Sequence, residues 1–561
     1  MTHSTAVTHR NWFGSMTERR ITLALLALHL AITLPLAAVL NVATDESFSL
    51  LTTSQSLGHA LHRGLWFELQ PPLYFGLLNL WRQAFGDSIF AARLLSVICG
   101  ALIVLLSAGL SRRYLPRVHS PRLVALLALH PFVIWAAVEI RLYALMLLIS
   151  TLQLITFHDG FLTGPDRTSR EDELDRCRSR VWYLVLAVIG LYTHYYSGFL
   201  LVVNAAVLLF HRRWRSLGIY LLCMTIAGFC FAPMLLVVPK QVGEHTTGAT
   251  ATDARGAVQA VLWQAEHYLL PVSVRPTASE LERSRIVWPL LLLAAPLLLL
   301  TGSLRSRWKQ GTIRPTGFRE LLFWNQSVTA LLIAGLLLLA FVAVVHVTGP
   351  ELFEFRHGVA LFIPLTLAAG AIVAAIGGNR AIGWWTCLVL CFSIPVLGQN
   401  YATLSKGGDW KRVARWIESS EKPGEPVVVF IPWAALPLSH HYDGRNELVV
   451  IPRPEEGLTY RMSEYVLDSP QQIDERVEPV LKSGDGLWLV TSGPKKYVGV
   501  EFGFEVLDEW LTERFTIEED VTFNGSRVRY LKRRSGTTAK SVAGHESVTP
   551  KPESSEQEGD S

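Results

Sequence analysis

Unbroken apolar runs, each about as long as a hydrocarbon core is thick, recur through the first four hundred residues of this chain. No other feature constrains the fold as strongly, because backbone amides in lipid must be satisfied within the segment, and runs of this length do so as helices. Spans are expected near 21–40, 88–110, 123–138, 142–158, 181–193, 198–211, 217–238, 286–303, 322–347, 358–377 and 381–400. Half of the 561 residues are hydrophobic and 17% are charged, as befits an α-helical polytopic membrane protein of about 11 spans rather than a soluble enzyme. The stretch 71–86, short, aromatic and with Arg82 near its end, reads as a helix lying in the interface.

Arginine and lysine concentrate in alternate loops: Arg19 and Arg20, "SRRYLPRVHSPR" (111–122), "DRTSREDELDRCRSR" (166–180), "HRRWRS" (211–216), "RSRWKQGTIRPTGFR" (305–319) and Arg380. By the positive-inside rule these face the cytoplasm. An odd number of spans then carries the C-terminal part across the membrane from the 1–20 tail. A bacterial cytoplasmic membrane with an outward-facing site is the simplest setting, and an endoplasmic reticulum membrane fits the same topology. The small residues of "PLAAVLNVA" could belong to a cleaved leader, but the run is long for one and continues directly into an acidic pair.

Past the transmembrane part (21–400, with a first outer loop over 41–87), the segment 401–534 reads as a small α/β domain. "GGDWKRVARWIESS" has apolar residues at helical spacing, and "EPVVVFIPW", "NELVVIP" and "DGLWLVTSG" read as short buried strands. "SPQQIDERVEPVLKSG" supplies a helix between them. The polar tail 535–561 is expected to be disordered. All six cysteines fall in spans or cytoplasmic loops, so the outer domain has no disulfide to form. The net charge of +4 reflects topology, with no nucleic-acid footprint.

Ionisable groups at the membrane are expensive, so their positions carry information. The outer level collects Asp45 and Glu46 at the end of the first run, Glu68 and Gln70 before two prolines, Glu139, Arg141 and Tyr143 between spans, His194 with Tyr195 and Tyr196, and Arg356 with His357. Singly each has an ordinary explanation. The arginines could be interfacial anchors, His194 part of an aromatic belt, and the acid pair a helix cap. Their shared level is less ordinary, and it allows helix packing to gather them into one outward-facing cleft.

At this point the chain resembles the GT-C class of glycosyltransferases, whose acidic pair follows the first span. "QPPLYFGLLNLWRQAFGDSIFAARLLSVICGALIVL", with Pro71-Pro72-Leu73, Gly86-Asp87-Ser88 and Arg93, resembles the family 39-like group, which includes protein mannosyltransferases and the lipid A aminoarabinose transferase. "EIRLYALMLL", "LYTHYYSGFLL" and "FEFRHGVALFIPLTLAAG" follow in the order of that pattern, and the likeness covers roughly 20–430. It departs at Gln70, where the group often has His or Lys, at Leu69, and at His357 in place of Tyr.

The resemblance implies transfer of a sugar from a polyprenyl-phosphate donor to a lipid, glycan or protein acceptor, with Asp45 as general base. Glu46 would orient the acceptor, ligate a cation or hold a neighbouring arginine. Chemistry suits Arg141 and Arg356 to the leaving phosphate, since guanidinium presents a fixed fork of donors and stays charged. His194, with Glu46 or Glu68, could hold a divalent metal cation, the one cofactor expected. Glu68, Gln70, Glu139, Tyr143, Tyr195 and His357 are the remaining candidates for substrate contact. The alternative is a transporter or flippase of lipid-linked glycans, which should spread polar residues through the bilayer midplane.

Overall fold

The computed structural model describes residues 15–115, 120–163, 170–241, 355–453, 462–481, 486–497 and 500–534. The expected spans 286–303 and 322–347 and the tail from 535 lie outside these residues. What is described is a bundle of apolar helices carrying a small sheet domain at its C-terminal end.

Helix α1 (Met16–Val39) opens with a reciprocal cap: Glu18 N donates to Ser15 Oγ and Ser15 N to Glu18 Oε2, both at 3.2 Å. Three short helices fill the first outer loop: α2 (Thr44–Thr52), α3 (Leu57–Trp66) and α4 (Leu73–Phe85). Then follow α5 (Ile89–Tyr114), α6 (Ser120–Leu129), α7 (Pro131–Ala137), α8 (Tyr143–Phe157), α9 (Arg170–Thr193), α10 (Ser197–Phe210) and α11 (Trp214–Phe231). Among the described residues, five helices are long and apolar enough to cross a membrane, and the bent pair α6–α7 makes a sixth.

That bend revises the single span expected over 123–138. The two helices meet at 56° because Pro131 brings no amide N–H and its ring cannot continue α6. A break within lipid strands backbone groups that need partners. Two histidines supply them. His29 on α1 bonds through Nδ1 to the Ala128 carbonyl at 2.7 Å, and His130 Nδ1 accepts the Phe132 amide at 3.1 Å. The His29 ring fits because residue 100 is glycine; a Cβ there would lie 2.9 Å from Nε2.

The last two expected spans form one run of helical hydrogen bonding, α12 (Val359–Tyr401). It doubles back on itself, since a Cβ on Gly370 would stand 3.6 Å from the Trp385 ring. Its return lies beside Arg122, whose Nη1 donates to Asn379 at 2.8 Å. Other members of the basic loops meet here too. Arg113 forks onto Asp159 at 2.9 and 2.8 Å, Arg112 lies 3.7 Å from Glu18, and Arg213 donates to the Leu162 carbonyl at 2.6 Å. The described positive loops therefore share one end of the bundle.

The opposite end carries the outer domain. Helix α13 (Trp410–Ser420) leads into a five-stranded sheet of β1 (Val427–Phe430), β2 (Leu448–Val450), β3 (Gly486–Ser492), β6 (Phe515–Phe523) and β7 (Ser526–Arg533), in the order β2-β1-β3-β7-β6. A separate small hairpin pairs β4 (Lys496–Tyr497) with β5 (Val500–Glu501). Strand β1 runs parallel to β2 and β3, while β3, β7 and β6 are antiparallel. Helices α14 (Ala435–Ser439), α15 (Pro470–Val477) and α16 (Phe504–Arg514) complete the domain. The three strands and two helices read from sequence are present; the β6–β7 hairpin and α16 were not foreseen. Phe48 and Leu51 of α2, with Phe67, pack on the apolar cluster that contains Tyr465, Leu467 and Phe502, so the domain is seated on the first outer loop. All six cysteines are free, and none lies in the domain.

Replacing His29 by leucine should leave the Ala128 carbonyl without its partner and lower stability by about 1–3 kcal/mol. Thermal unfolding of the purified protein in detergent checks this, and an unchanged melting temperature would show that the bend needs no cap.

Candidate functional site

Helix α1 ends beneath the outer domain, and the chain turns at once into α2. Asp45 and Glu46 both fall in the first turn of α2, where the helix dipole favours anions. The far end of α2 is held by α4: Arg82 Nη1 donates to the Leu50 carbonyl at 2.6 Å and to Thr53 Oγ1 at 2.8 Å. The two acids, adjacent in sequence, meet opposite environments.

Glu46 is fully buried. Arg93 of α5 grips it in a two-point contact, Nε to Oε1 at 3.1 Å and Nη2 to Oε2 at 2.8 Å. The amides of Ala43 and Ile140 each donate to it at 2.9 Å, and Lys406 Nζ lies 2.8 Å from Oε1. The other Arg93 donors reach the carbonyls of Ala37, Leu40 and Asn41 at 3.1, 3.0 and 2.7 Å. All five guanidinium N–H groups are thus used, and the cation sits on the carbonyl end of α1. Burial opposes the charge on Glu46, but Arg93 and then Lys406 outweigh it and hold its pKa below the ordinary carboxylate value. Of the roles open to Glu46 from sequence, this placement supports holding a neighbouring arginine; its oxygens are too fully engaged to orient an acceptor or ligate a cation.

Asp45 points the other way. Its carboxylate is 37% exposed and pairs with Arg356 Nη1 from the entry to α12. The pair stands in the wall of a cavity of about 200 Å³ together with Ala43, Thr44, Trp135, Glu139, Tyr143 and Gly407. Trp135 and Tyr143 form an aromatic flank, their rings 4.9 Å apart and 27° from parallel. Glu139 lies 3.1 Å from Lys406 Nζ, which also donates to the Val138 carbonyl at 2.8 Å.

The remaining candidates sit around this centre. Arg141 Nη1 donates to Glu68 at 2.8 Å, Ser49 Oγ at 3.0 Å and the Asp45 carbonyl at 3.3 Å, and Glu68 also accepts from Thr52 Oγ1 at 3.2 Å. Both are buried, so Arg141 braces the α2 backbone that carries Asp45 and is not among the residues lining the cavity. Tyr195 bonds to Gln241 at 2.5 Å and Gln241 to the Leu65 carbonyl at 2.6 Å, away from the cavity wall. Gln70 is half-buried, its amide bonded to the Gly64 carbonyl at 3.0 Å. His194 is buried, with Nδ1 accepting the Tyr196 amide at 3.2 Å. Among the described residues no three His, Cys, Asp or Glu side chains converge on one point. The His357 side chain lies outside the described residues.

No family model and no curated protein matches the chain. Among solved structures it is similar to ArnT from Cupriavidus metallidurans, in the apo state and bound to undecaprenyl phosphate. Both share 13% identity with it, at TM-scores of 0.49 and 0.48 over 92% of this chain and 98% of that one. It is also similar to the apo oligosaccharyltransferase of Archaeoglobus fulgidus, at 12% identity and a TM-score of 0.44 over 85% of this chain and 70% of that one. Likeness at this identity and TM-score assigns no activity.

Lys406 and Trp135 were not singled out from sequence, and Arg93 only as part of a motif. Lys406 had a faint signal, a lone lysine beside two glycines just past the last span. Trp135 had none, lying inside an apolar run.

Arg93→Met should leave Glu46 charged and buried without its fork of donors, a loss of about 3–5 kcal/mol that detergent thermal unfolding would register. Because the folded-state pKa of Glu46 is depressed, its contribution is present above the unfolded value near 4.3 and is lost as pH falls below it. Glu46→Gln should therefore flatten the decline in melting temperature below about pH 4. Parallel wild-type and variant acid profiles would refute that assignment.

Proposed function

We propose that this chain is a membrane glycosyltransferase that moves a sugar from a polyprenyl-phosphate donor to a hydroxyl acceptor on the non-cytoplasmic side. One observation carries the reading: the Asp45 carboxylate and the Arg356 guanidinium oppose each other in the wall of a cavity at the end of the bundle away from the described basic loops. Glycosyl transfer needs one proton acceptor and one stabiliser of an anionic leaving group. This pair supplies both.

In the proposed reaction the acceptor oxygen attacks the anomeric carbon and the bond from that carbon to the phosphate oxygen breaks. The acceptor proton passes to Asp45, and the phosphate departs with its negative charge against Arg356. Arrival of the donor phosphate competes with Asp45 for Arg356 and so frees the carboxylate for its role as base. Trp135 and Tyr143 offer an apolar flank for the sugar ring, with Glu139 as a polar contact within the same cavity. The sequestration of Glu46 supports assigning the base to Asp45 alone. Arg141, expected to bind phosphate directly, acts in this reading through the backbone of α2.

A transporter would use the same groups as a path across the membrane. The described acids and cations of this set instead gather at one end of the helices, which favours chemistry at a fixed level. Sugar, carrier length and acceptor class stay within the proposal as a polyprenyl-phosphate monosaccharide and an envelope glycan, lipid or protein. The bacterial cytoplasmic membrane, with the outer domain facing the periplasm or exterior, is the proposed setting.

Asp45→Asn should lower transfer from the native lipid donor on the order of a hundredfold or more, with protein yield and melting temperature near wild type. Arg356→Ala should fall comparably. Undiminished activity in Asp45→Asn membranes at matched expression would remove the base.

A further inference from the structure

The residues between α1 and α2, 40–43, lie outside any helix, and much of what holds them comes from far along the chain. Lys411 Nζ donates to the Val39 carbonyl at 2.8 Å, and the Val42 amide donates to His441 Nε2 at 3.4 Å. The most complete fit is made by Asn41, which is 2% exposed. Its backbone amide and its Nδ2 both donate to the Leu404 carbonyl, at 3.1 and 2.9 Å, and its Oδ1 accepts the Lys411 amide at 2.7 Å. One carboxamide thus meets an acceptor and a donor on the same distant segment, which settles which of its ends is oxygen and which nitrogen.

Both contacts fall on backbone groups with a reason to be held. Lys411 lies in the first turn of α13, where amides lack partners within the helix. Leu404 stands at φ +55°, a left-handed conformation that crowds the Cβ of a leucine, and its side chain is exposed rather than packed. In that conformation its carbonyl meets both donors of Asn41. Gly407, within the segment so clasped, lines the cavity, and so do Ala43, Thr44 and Asp45 just beyond Asn41. The carboxamide therefore ties together two stretches of backbone that wall the cavity, one of which carries the Asp45 carboxylate.

We propose that Asn41 is a positioning residue for the transfer reaction: its clasp on the segment 404–411 fixes the approach to α2 and so aims the Asp45 carboxylate at the acceptor proton. The inference rests on the reading of Asp45 as the base. A base works only within hydrogen-bond reach of the proton it takes, and misplacing it by about an ångström can cost a hundredfold. Arg93 holds the first turn of α2 from the bundle through Glu46, while Asn41 holds the residues before it from the side of the outer domain. The domain that sits on the first outer loop thereby takes part in setting the geometry of the site.

An asparagine that only stabilises the fold makes a different prediction, and a double-mutant cycle separates the two. Full-length wild type, Asn41→Ala, Asp45→Asn and the double variant would be purified in detergent and assayed well below their measured melting temperatures. Membranes from cells lacking the protein would supply acceptor, and their extracted polyprenyl-phosphate lipids, added to saturation, would supply donor. Asn41→Ala should lower kcat about tenfold or more when Asp45 is present, and leave it within about twofold when residue 45 is already substituted. A merely structural role would lower both by the same factor. If Asn41→Ala does not fold, the milder Asn41→Ser runs the same cycle. Equal losses in the two backgrounds, or no loss in either, would overturn the proposal while leaving the base in place. Full activity in Asp45→Asn alone would overturn the base reading and the proposal with it.

Discussion

A single buried contact, Arg93 on Glu46, fastens together parts of the chain that otherwise have little reason to meet. Its cation covers the carbonyl end of α1, its anion ends the first turn of α2, and its neighbours reach the loop before α8 and the chain after α12. Taking both charges out of water is expensive, and it is tolerable because the guanidinium uses every donor and the carboxylate is bonded from several sides. Such an arrangement accepts little variation in geometry. It therefore fixes where α2 begins, and with it the position of Asp45.

From that fixed point the site is assembled by successive layers. Arg82 holds the α2 backbone at its far end and Arg141 holds it at Asp45, whose side chain stands in the cavity wall. The broken helix α6–α7 brings Trp135 to the wall, the loop after it brings Glu139, and the start of α8 brings Tyr143. Phe48 and Leu51 on the other side of α2 seat the outer domain, so one short helix carries the cavity-facing carboxylate on one face and the domain contact on another.

Much of this was legible from residue types alone. The apolar runs and the alternation of basic loops follow from the cost of unsatisfied amides and of charge in lipid, which act locally along the chain. So does the shared level of Asp45, Glu68, Glu139, Arg141 and Arg356. The α6–α7 break had its cause in plain view at Pro131, but the histidines that make it tolerable come from α1 and from the break itself. The β6–β7 hairpin had a turn signal in Asn524-Gly525, which the charge density of "FTIEEDVTF" obscured by giving no apolar strand pattern.

What the sequence by itself determined is a membrane-embedded helical chain with an acidic pair and later arginines at one level, because hydropathy and charge are properties of residues wherever they pack. Only the tertiary structure decided that the two acids part company, Glu46 enclosed by Arg93 and Lys406 and Asp45 turned to the cavity with Arg356. Adjacent residues on a helix point about 100° apart, so which one is buried depends on what packs against each face. Those faces are supplied by segments up to several hundred residues away.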